Sequence, residues 1–103
     1  MNNNISDNEN NGDTNFSTSK DDYAVALGYD QNKDNAPVVL AKGAGEIAQK
    51  IIKIAEENGI EIRKDADLLQ ILKAVDINEE IPVEAFAAVA EIISYIYQKN
   101  AQS

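Results

Sequence analysis

The sequence predicts a small α/β domain in which a central mixed β-sheet is flanked by helices. Two observations lead to this prediction. Short apolar segments typical of strands come first along the chain, and longer segments with helical periodicity follow them. Glycine, proline and asparagine lie between these segments, where strands and helices are expected to end. The predicted order is strand, strand, helix, strand, helix, helix, which indicates a single thin core over about 80 residues.

The first predicted strand, residues 23–29, alternates large side chains with alanine and glycine. This pattern indicates a strand covered on both faces, with a helix packed closely on the side of the small residues. After a polar turn over residues 30–35, a continuous apolar run at residues 37–41 indicates an interior strand with Pro37 at its first position. The large residues are Tyr23, Val25, Leu27 and Tyr29, and the small ones are Ala24, Ala26 and Gly28.

The first predicted helix begins after Gly43-Ala44-Gly45 and ends at Asn58-Gly59, where Gly59 suits the left-handed conformation that often follows a helix. A short strand over residues 60–63 comes next. We place the apolar stripe of this helix on Ile47, Ile51, Ile54 and Ala55, flanked by Ala48 and Ile52.

Two further helices complete the predicted domain. Asp65 is placed to cap the first of them, and Pro82 lies where the first turn of the second is expected, after a loop over residues 76–81. The buried positions predicted for the first are Leu68, Leu69, Leu72 and Val75. The second shows Phe86, Val89, Ala90, Ile93, Ile96 and Tyr97 on one apolar face.

Residues 1–20 differ in composition from the rest of the chain, because Ile5 and Phe16 are their only large apolar residues apart from Met1. So few apolar side chains do not offset the entropy lost on ordering the chain. We therefore expect a disordered Asn-rich tail over residues 1–20 and a folded domain over residues 21–100. The tail also lacks the basic and apolar regions of a secretory signal, which favours a location inside the cell.

The composition of the 103-residue chain excludes several classes of function. Without cysteine or histidine there are no disulfides, thiolate metal sites or His-based catalysis, and no calcium-loop motif is present. The net charge of −9 repels phosphate backbones and anionic lipids. No apolar run approaches the ~18 residues of a membrane span. We expect protein partners, with no metal, cofactor, nucleic acid or direct membrane insertion.

One short motif suggests a different function. Gly43-x-Gly45-x-x-Ala48 follows a predicted strand and opens a helix, as in dinucleotide-binding domains, and Glu61 or Asp65 lies near the distance of the ribose-binding acid. The chain is short for such a domain, and Glu46 would place a carboxylate beside the phosphates. Nucleotide binding therefore remains an alternative, and a sharp strand-to-helix turn explains the glycines more simply.

Four segments occur in an order and spacing that identify a family. They are residues 23–30 (YAVALGYD), 36–44 (APVVLAKGA), 77–82 (INEEIP) and 88–97 (AVAEIISYIY). These segments resemble the export-switch family of flagellar and injectisome type III secretion, the FlhB/YscU family, and the resemblance runs from about Tyr23 to Gln98. It implies the fold of that family's C-terminal cytoplasmic domain.

The resemblance also implies that the self-cleavage of the family is absent here. Family members are membrane proteins that cleave themselves within Asn-Pro-Thr-His, just before the strand that begins here at Tyr23, and the Asn side chain is the nucleophile. The four positions are Ser19, Lys20, Asp21 and Asp22 in this chain. The chain is therefore similar to the downstream cleavage product and is not expected to be an enzyme.

The family also has an apolar strand before the cleavage motif, where this chain has the polar segment 14–18. We expect that segment to be a weak strand at best. One edge of the sheet would then be short or open, and a partner strand could fill it.

In the family, this domain docks export substrates and a ruler protein. The matching positions of the apolar docking patch are Ala36, Pro37, Ala90 and Ile93, which could equally be core residues. The resemblance implies a non-catalytic interaction module that acts in trans in the cytoplasm, peripherally at the export apparatus. Its partners would be flagellar or type III export-gate membrane proteins and early export substrates. The alternatives are nucleotide binding and a degenerate paralogue with no export role.

Overall fold

The computed structural model describes residues 13–20, 23–30 and 32–92 and shows a four-stranded mixed sheet with helices on both faces. The sheet order is β3-β2-β1-β4, in which β2 is antiparallel to β1 and β3, and β4 is parallel to β1. This architecture confirms the predicted α/β class with a central mixed sheet. The elements are β1 (Asp13–Lys20), β2 (Tyr23–Asp30), β3 (Val38–Ala44), α1 (Glu46–Glu57), β4 (Glu61–Arg63), α2 (Ala66–Lys73), a 3₁₀ turn (Val83–Ala85) and α3 (residues 86–92).

Strand β1 corrects the prediction of a disordered tail up to residue 20. It pairs with β2 along its whole length and with β4 on its other side, so it lies inside the sheet and not at an edge. Phe16 is fully buried in the main core, and Ser17 is buried on the opposite face. A single aromatic side chain and two flanking strands hold a segment whose composition is otherwise polar. The expected open edge at residues 14–18 is therefore wrong; the short edge strand is the three-residue β4.

The two faces of β2 carry different side chains, as predicted. Directly opposite residues in an antiparallel pair share a face, so Phe16, Leu27 and Val39 lie together on one side. That side packs against α2 and α3 and forms the main core. Ala24 and Ala26 lie on the other side, which α1 covers. Ala24 and Val25 are both fully buried, which confirms that the strand is covered on both faces.

Helix α1 connects β3 to the parallel strand β4 and crosses the sheet on the face of small residues. It ends as predicted at Gly59, which has a φ of 67°. The Gly59 and Ile60 N–H groups donate to the Glu56 and Ala55 carbonyl oxygens and complete a Schellman motif. The predicted apolar stripe is wrong for Ile47 and Ile54. Ala48 and Ala55 face the sheet, while Ile47 and Ile54 are 54% and 56% exposed, because only alanine permits the close approach of this helix.

Helix α2 follows the prediction closely. The Asp65 side chain accepts a hydrogen bond from the Leu68 N–H at 3.0 Å and caps the helix. At its other end, the Lys42 ammonium donates to the Lys73 and Val75 carbonyl oxygens at 2.9 and 2.7 Å. These bonds tie the C-terminal end of α2 to β3. The buried residues of α2 are Leu68, Leu69 and Leu72, with Val75 packed against the same cluster.

Strand β3 lies at the edge of the sheet, which corrects the prediction of an interior strand. Residues 78–81 run along the outer side of its first half. This segment covers the edge of the first half of β3 without a fifth regular strand, in agreement with the continuous apolar run at residues 37–41. Within the described residues, no helix has the length and apolar character needed to cross a membrane.

Candidate docking surface

The segment that covers β3 also sets the position of α3. The Val39 N–H donates to the Glu79 carbonyl oxygen at 3.0 Å, and the Ile81 N–H donates to the Pro37 carbonyl oxygen at 2.9 Å. Asn78, with a φ of 74°, makes the turn that starts this pairing. Pro82 then precedes the 3₁₀ turn and α3, so the start of the last helix is fixed beside the start of β3.

Helix α3 and the 3₁₀ turn that precedes it are apolar on more than one side, and only one side packs against the core. Ala85, Val89 and Ile92 are buried, and they define the inward side. The outward side carries four exposed apolar residues, with Val83 at 73% and Phe86 at 44% exposure. We call this outward side the α3 face; its members are Val83, Phe86, Ala87 and Ala90.

The α3 face corrects the predicted orientation of the last helix. Helical spacing predicts that Phe86 and Ala90 share one apolar face with Val89. The series Ala85, Val89 and Ile92 fits the same spacing, and it is the one that faces the core. The remaining predicted positions, Ile93, Ile96 and Tyr97, lie outside the described residues. A helix that is apolar on nearly all sides but buries only one of them indicates a second contact surface. This composition is the feature of the sequence from which the exposure of Val83 and Phe86 can be predicted.

The four predicted docking residues differ in their environment. Ala36 is 4% exposed and belongs to the main core, and Pro37 is also buried. Ala90 is exposed on the α3 face, and Ile93 lies outside the described residues. Ala36 and Pro37 therefore support the α3 face through the Pro37–Ile81 hydrogen bond and the shared core. Their role as surface residues of the patch is not supported.

The segment that contains the α3 face is acidic. Residues 74–92 contain five acidic and no basic residues, and all five acidic side chains are exposed. Two lysines lie near the start of this segment: Lys42 donates to the carbonyl oxygens of Lys73 and Val75, and Lys73 lies over the Tyr23 ring at 4.7 Å from its centroid. We call the acidic residues the acidic rim; they are Asp76, Glu79, Glu80, Glu84 and Glu91.

The positions of the family's cleavage motif lie at the β1–β2 connection. Ser19 and Lys20 are the last residues of β1, and Lys20 is paired with Tyr23 of β2. Asp21 and Asp22 lie outside the described residues. The positions that the resemblance matches to the cleavage motif therefore begin at the end of β1.

The glycines of the nucleotide-like motif each have a structural role. Gly45 has a φ of 60°, which disfavours other residues, and precedes α1. A Cβ at Gly43 would lie 2.7 Å from the Ile47 Cβ, so glycine permits the close packing of β3 and α1. A cleft of about 370 Å³ lies near the other end of β3, between Tyr29, Leu40 and Asn78. Neither glycine lines this cleft, which leaves the turn interpretation as the better explanation of the motif.

Known proteins resemble this chain over most of its length. The model of the FlhB HrpN YscU SpaS family matches residues 18–96. YlqH of Bacillus subtilis is 43% identical over 75 residues, which are 73% of this chain and 81% of YlqH. The flagellar biosynthetic protein FlhB of Aquifex aeolicus is 47% identical over 78 residues. Those residues are 75% of this chain and 22% of that FlhB, so the chain spans about a fifth of the length of the FlhB relative.

Solved structures share the fold. The cytoplasmic domain of FlhB from Shewanella putrefaciens matches with a TM-score of 0.76 and 34% identity, over 82% of this chain and 67% of that chain. A mutated C-terminal domain of EscU matches with a TM-score of 0.74 and 27% identity, over 78% of this chain and 81% of that chain. The Shewanella structure is a cytoplasmic domain, in agreement with the predicted cytoplasmic location. The chain belongs to the FlhB HrpN YscU SpaS family of flagellar and type III export-switch proteins, and it corresponds to the C-terminal cytoplasmic domain of that family.

Proposed function

We propose that the protein is a non-catalytic interaction module of the flagellar or type III export apparatus. It docks export substrates or export-gate components on the α3 face and acts in trans, in the manner of the cleaved C-terminal fragment of an export-switch protein. The observation that carries this proposal is the exposed apolar surface of α3, which the core does not use. Apolar surface rimmed by polar residues is typical of protein interaction sites.

The support for docking comes from the way the α3 face is built. Ala85, Val89 and Ile92 anchor α3 in the core, and the Pro37–Ile81 hydrogen bond fixes its start. The surface is therefore preformed, so a partner does not have to order it on binding. Ala36 and Pro37 act beneath the α3 face as supports, and Ala90 is part of the face; Ile93 stays a predicted docking residue outside the described residues.

Co-purification with the export gate tests the docking function. A tagged chain is expressed in the cell that encodes it, and the detergent-solubilised export gate is recovered on the tag. We expect the double variant Val83→Asn/Phe86→Asn to lose the gate or its substrates. The control Ile47→Asn/Ile54→Asn alters two exposed residues on α1, at 54% and 56% exposure, and keeps the partners.

Two results would contradict this function. If both double variants recover the gate and its substrates equally well, docking does not depend on the α3 face. Absence of gate components and substrates from every sample, together with unchanged export on deletion of the gene, would favour a degenerate paralogue.

The absence of self-cleavage is part of the same proposal, because Ser19 provides no amide nucleophile. Intact-mass spectrometry of the purified protein should show the full chain after long incubation at neutral pH. Replacing the four positions with the family motif (Ser19→Asn, Lys20→Pro, Asp21→Thr and Asp22→His) should produce cleavage after residue 19. A motif-bearing variant that folds and stays intact would show that the β1–β2 connection differs from the family's cleavage site.

A further inference from the structure

The charged residues of the segment that contains the α3 face share one sign of charge. Within α3, Glu91 is four residues after Ala87, so the two lie on the same side of the helix. Glu84 precedes Ala87 by three residues and places a second carboxylate near that margin. The margin of the α3 face beside Ala87 is therefore acidic.

A second acidic group leads into the helix. Asp76, Glu79 and Glu80 are exposed in the segment before Pro82, and the hydrogen bonds of Val39 and Asn78 hold that segment against β3. Ile77, at 48% exposure, lies between them and adds apolar surface. This acidic group is held in place on the folded domain.

The exposed apolar surface of α1 has different neighbours. Ile47 and Ile54 share their helix with Lys50 and Lys53 as well as with glutamates, so both signs of charge occur there. The segment that contains the α3 face, residues 74–92, has acidic residues and no lysine or arginine. Charge complementarity therefore distinguishes the kind of partner that suits the α3 face.

We infer that the occupant of the α3 face is a protein segment that combines apolar residues with flanking lysine or arginine. This inference rests on the proposed docking function and specifies the chemistry of its partner. The apolar residues cover Phe86 and Val83, and the basic residues approach Glu84, Glu91 and the carboxylates of the acidic rim. A second copy of this chain is a poor occupant, because two acidic rims would meet. Like charges brought together across an interface oppose association.

Binding of defined peptides to the full chain tests this inference. Overlapping peptides that cover early export substrates and the cytoplasmic parts of the export gate are measured by fluorescence anisotropy. The tightest binder is then resynthesised with its lysine and arginine residues replaced by glutamine, and again by glutamate. We expect the bound segments to be apolar with basic flanks, with affinity falling from the native peptide to the glutamine and then the glutamate version.

Matched variants of the protein locate the charge effect. Glu84→Gln/Glu91→Gln should weaken binding about three- to tenfold, and added salt should remove most of this difference. Glu56→Gln/Glu57→Gln, which removes two exposed carboxylates from α1, should leave affinity unchanged. Thermal unfolding of each variant verifies that the fold is retained.

The outcomes separate this inference from the proposed function. If neutral or acidic apolar segments bind equally well and Glu84→Gln/Glu91→Gln changes nothing, while Phe86→Asn abolishes binding, docking stands and the basic partner is wrong. If no peptide binds, or if Phe86→Asn has no effect, the proposed function fails and this inference fails with it. A concentration-dependent dimer in ultracentrifugation that Phe86→Asn disrupts would identify a second copy as the occupant and would also overturn the inference.

Discussion

The two helical layers of this domain pack on opposite faces of the same sheet, and the side chains at the two contacts differ in size. Helix α1 approaches a face of small residues, and its own buried positions are alanines at 48 and 55. Helices α2 and α3 pack on large side chains such as Phe16 and Leu27. Both layers expose apolar residues, but α1 carries lysines as well as glutamates, whereas the charged residues of segment 74–92, which contains the α3 face, are all acidic. The difference indicates that the α1 layer contributes close packing, and that the other layer combines the main core with a surface for a partner.

The largest expected effect tests whether β1 belongs to the main core. Phe16→Ala should lower the free energy of unfolding by about 3–5 kcal/mol, because it leaves a cavity between the sheet and α2. Urea unfolding measures this loss, and Asn15→Ala, at an exposed neighbouring position, serves as the control. A loss below about 1 kcal/mol would mean that β1 does not contribute its side chain to the core in solution.

A pair of glycine variants tests the close packing of the α1 layer. A Cβ at Gly43 meets the Ile47 Cβ, which the helix backbone holds in place, so Gly43→Ala should cost about 1–3 kcal/mol. A Cβ at Gly28 meets the Cδ1 atom of Leu40 at 2.7 Å, at the end of a half-exposed side chain that can turn away. Gly28→Ala should therefore change stability by less than about 1 kcal/mol. Equal costs in chemical denaturation would contradict the account of α1 packing.

The smallest expected effect tests the link between β3 and α2. Lys42→Met removes the ammonium that bonds the Lys73 and Val75 carbonyl oxygens, and it should cost about 1 kcal/mol. Lys50→Met removes an exposed lysine from α1 and should change stability by less than about 0.5 kcal/mol. Thermal unfolding in matched buffers compares the two. Indistinguishable midpoints would show that Lys42 does not stabilise the C-terminal end of α2.

Local signals in the sequence predicted much of the fold. The alternation of large and small side chains predicted β2. The carboxylate of Asp65 predicted the start of α2, and Gly59 predicted the end of α1. These features act within a few residues, so they can be recognised without the tertiary structure. The family resemblance added the identity of the domain, which periodicity alone does not provide.

Features that depend on neighbouring elements were missed. Strand β1 is polar in sequence, and it is ordered by pairing on both sides and by the burial of Phe16. In α1 and α3, two different sides of the helix carry apolar residues at helical spacing, so the spacing alone does not tell which side is buried. On α1, Ala48 and Ala55 are buried because the helix packs on a sheet face of small residues. On α3 and the turn before it, Ala85 and Val89 are buried in the main core. The burial of Ala85 and Val89 leaves Phe86 exposed on the α3 face, whereas helical spacing alone predicts Phe86 on the same side as Val89.

The assignment of binding to one layer is tested most directly by amide chemical-shift mapping. The ¹⁵N-labelled full chain is titrated with the tightest-binding substrate or gate peptide. We expect the largest shifts at the amides of Val83, Phe86, Ala87 and Ala90, with smaller changes at Ile47 and Ile54 on α1. Shifts concentrated on α1, or spread equally over both layers, would contradict the claim that the α3 face is the docking surface.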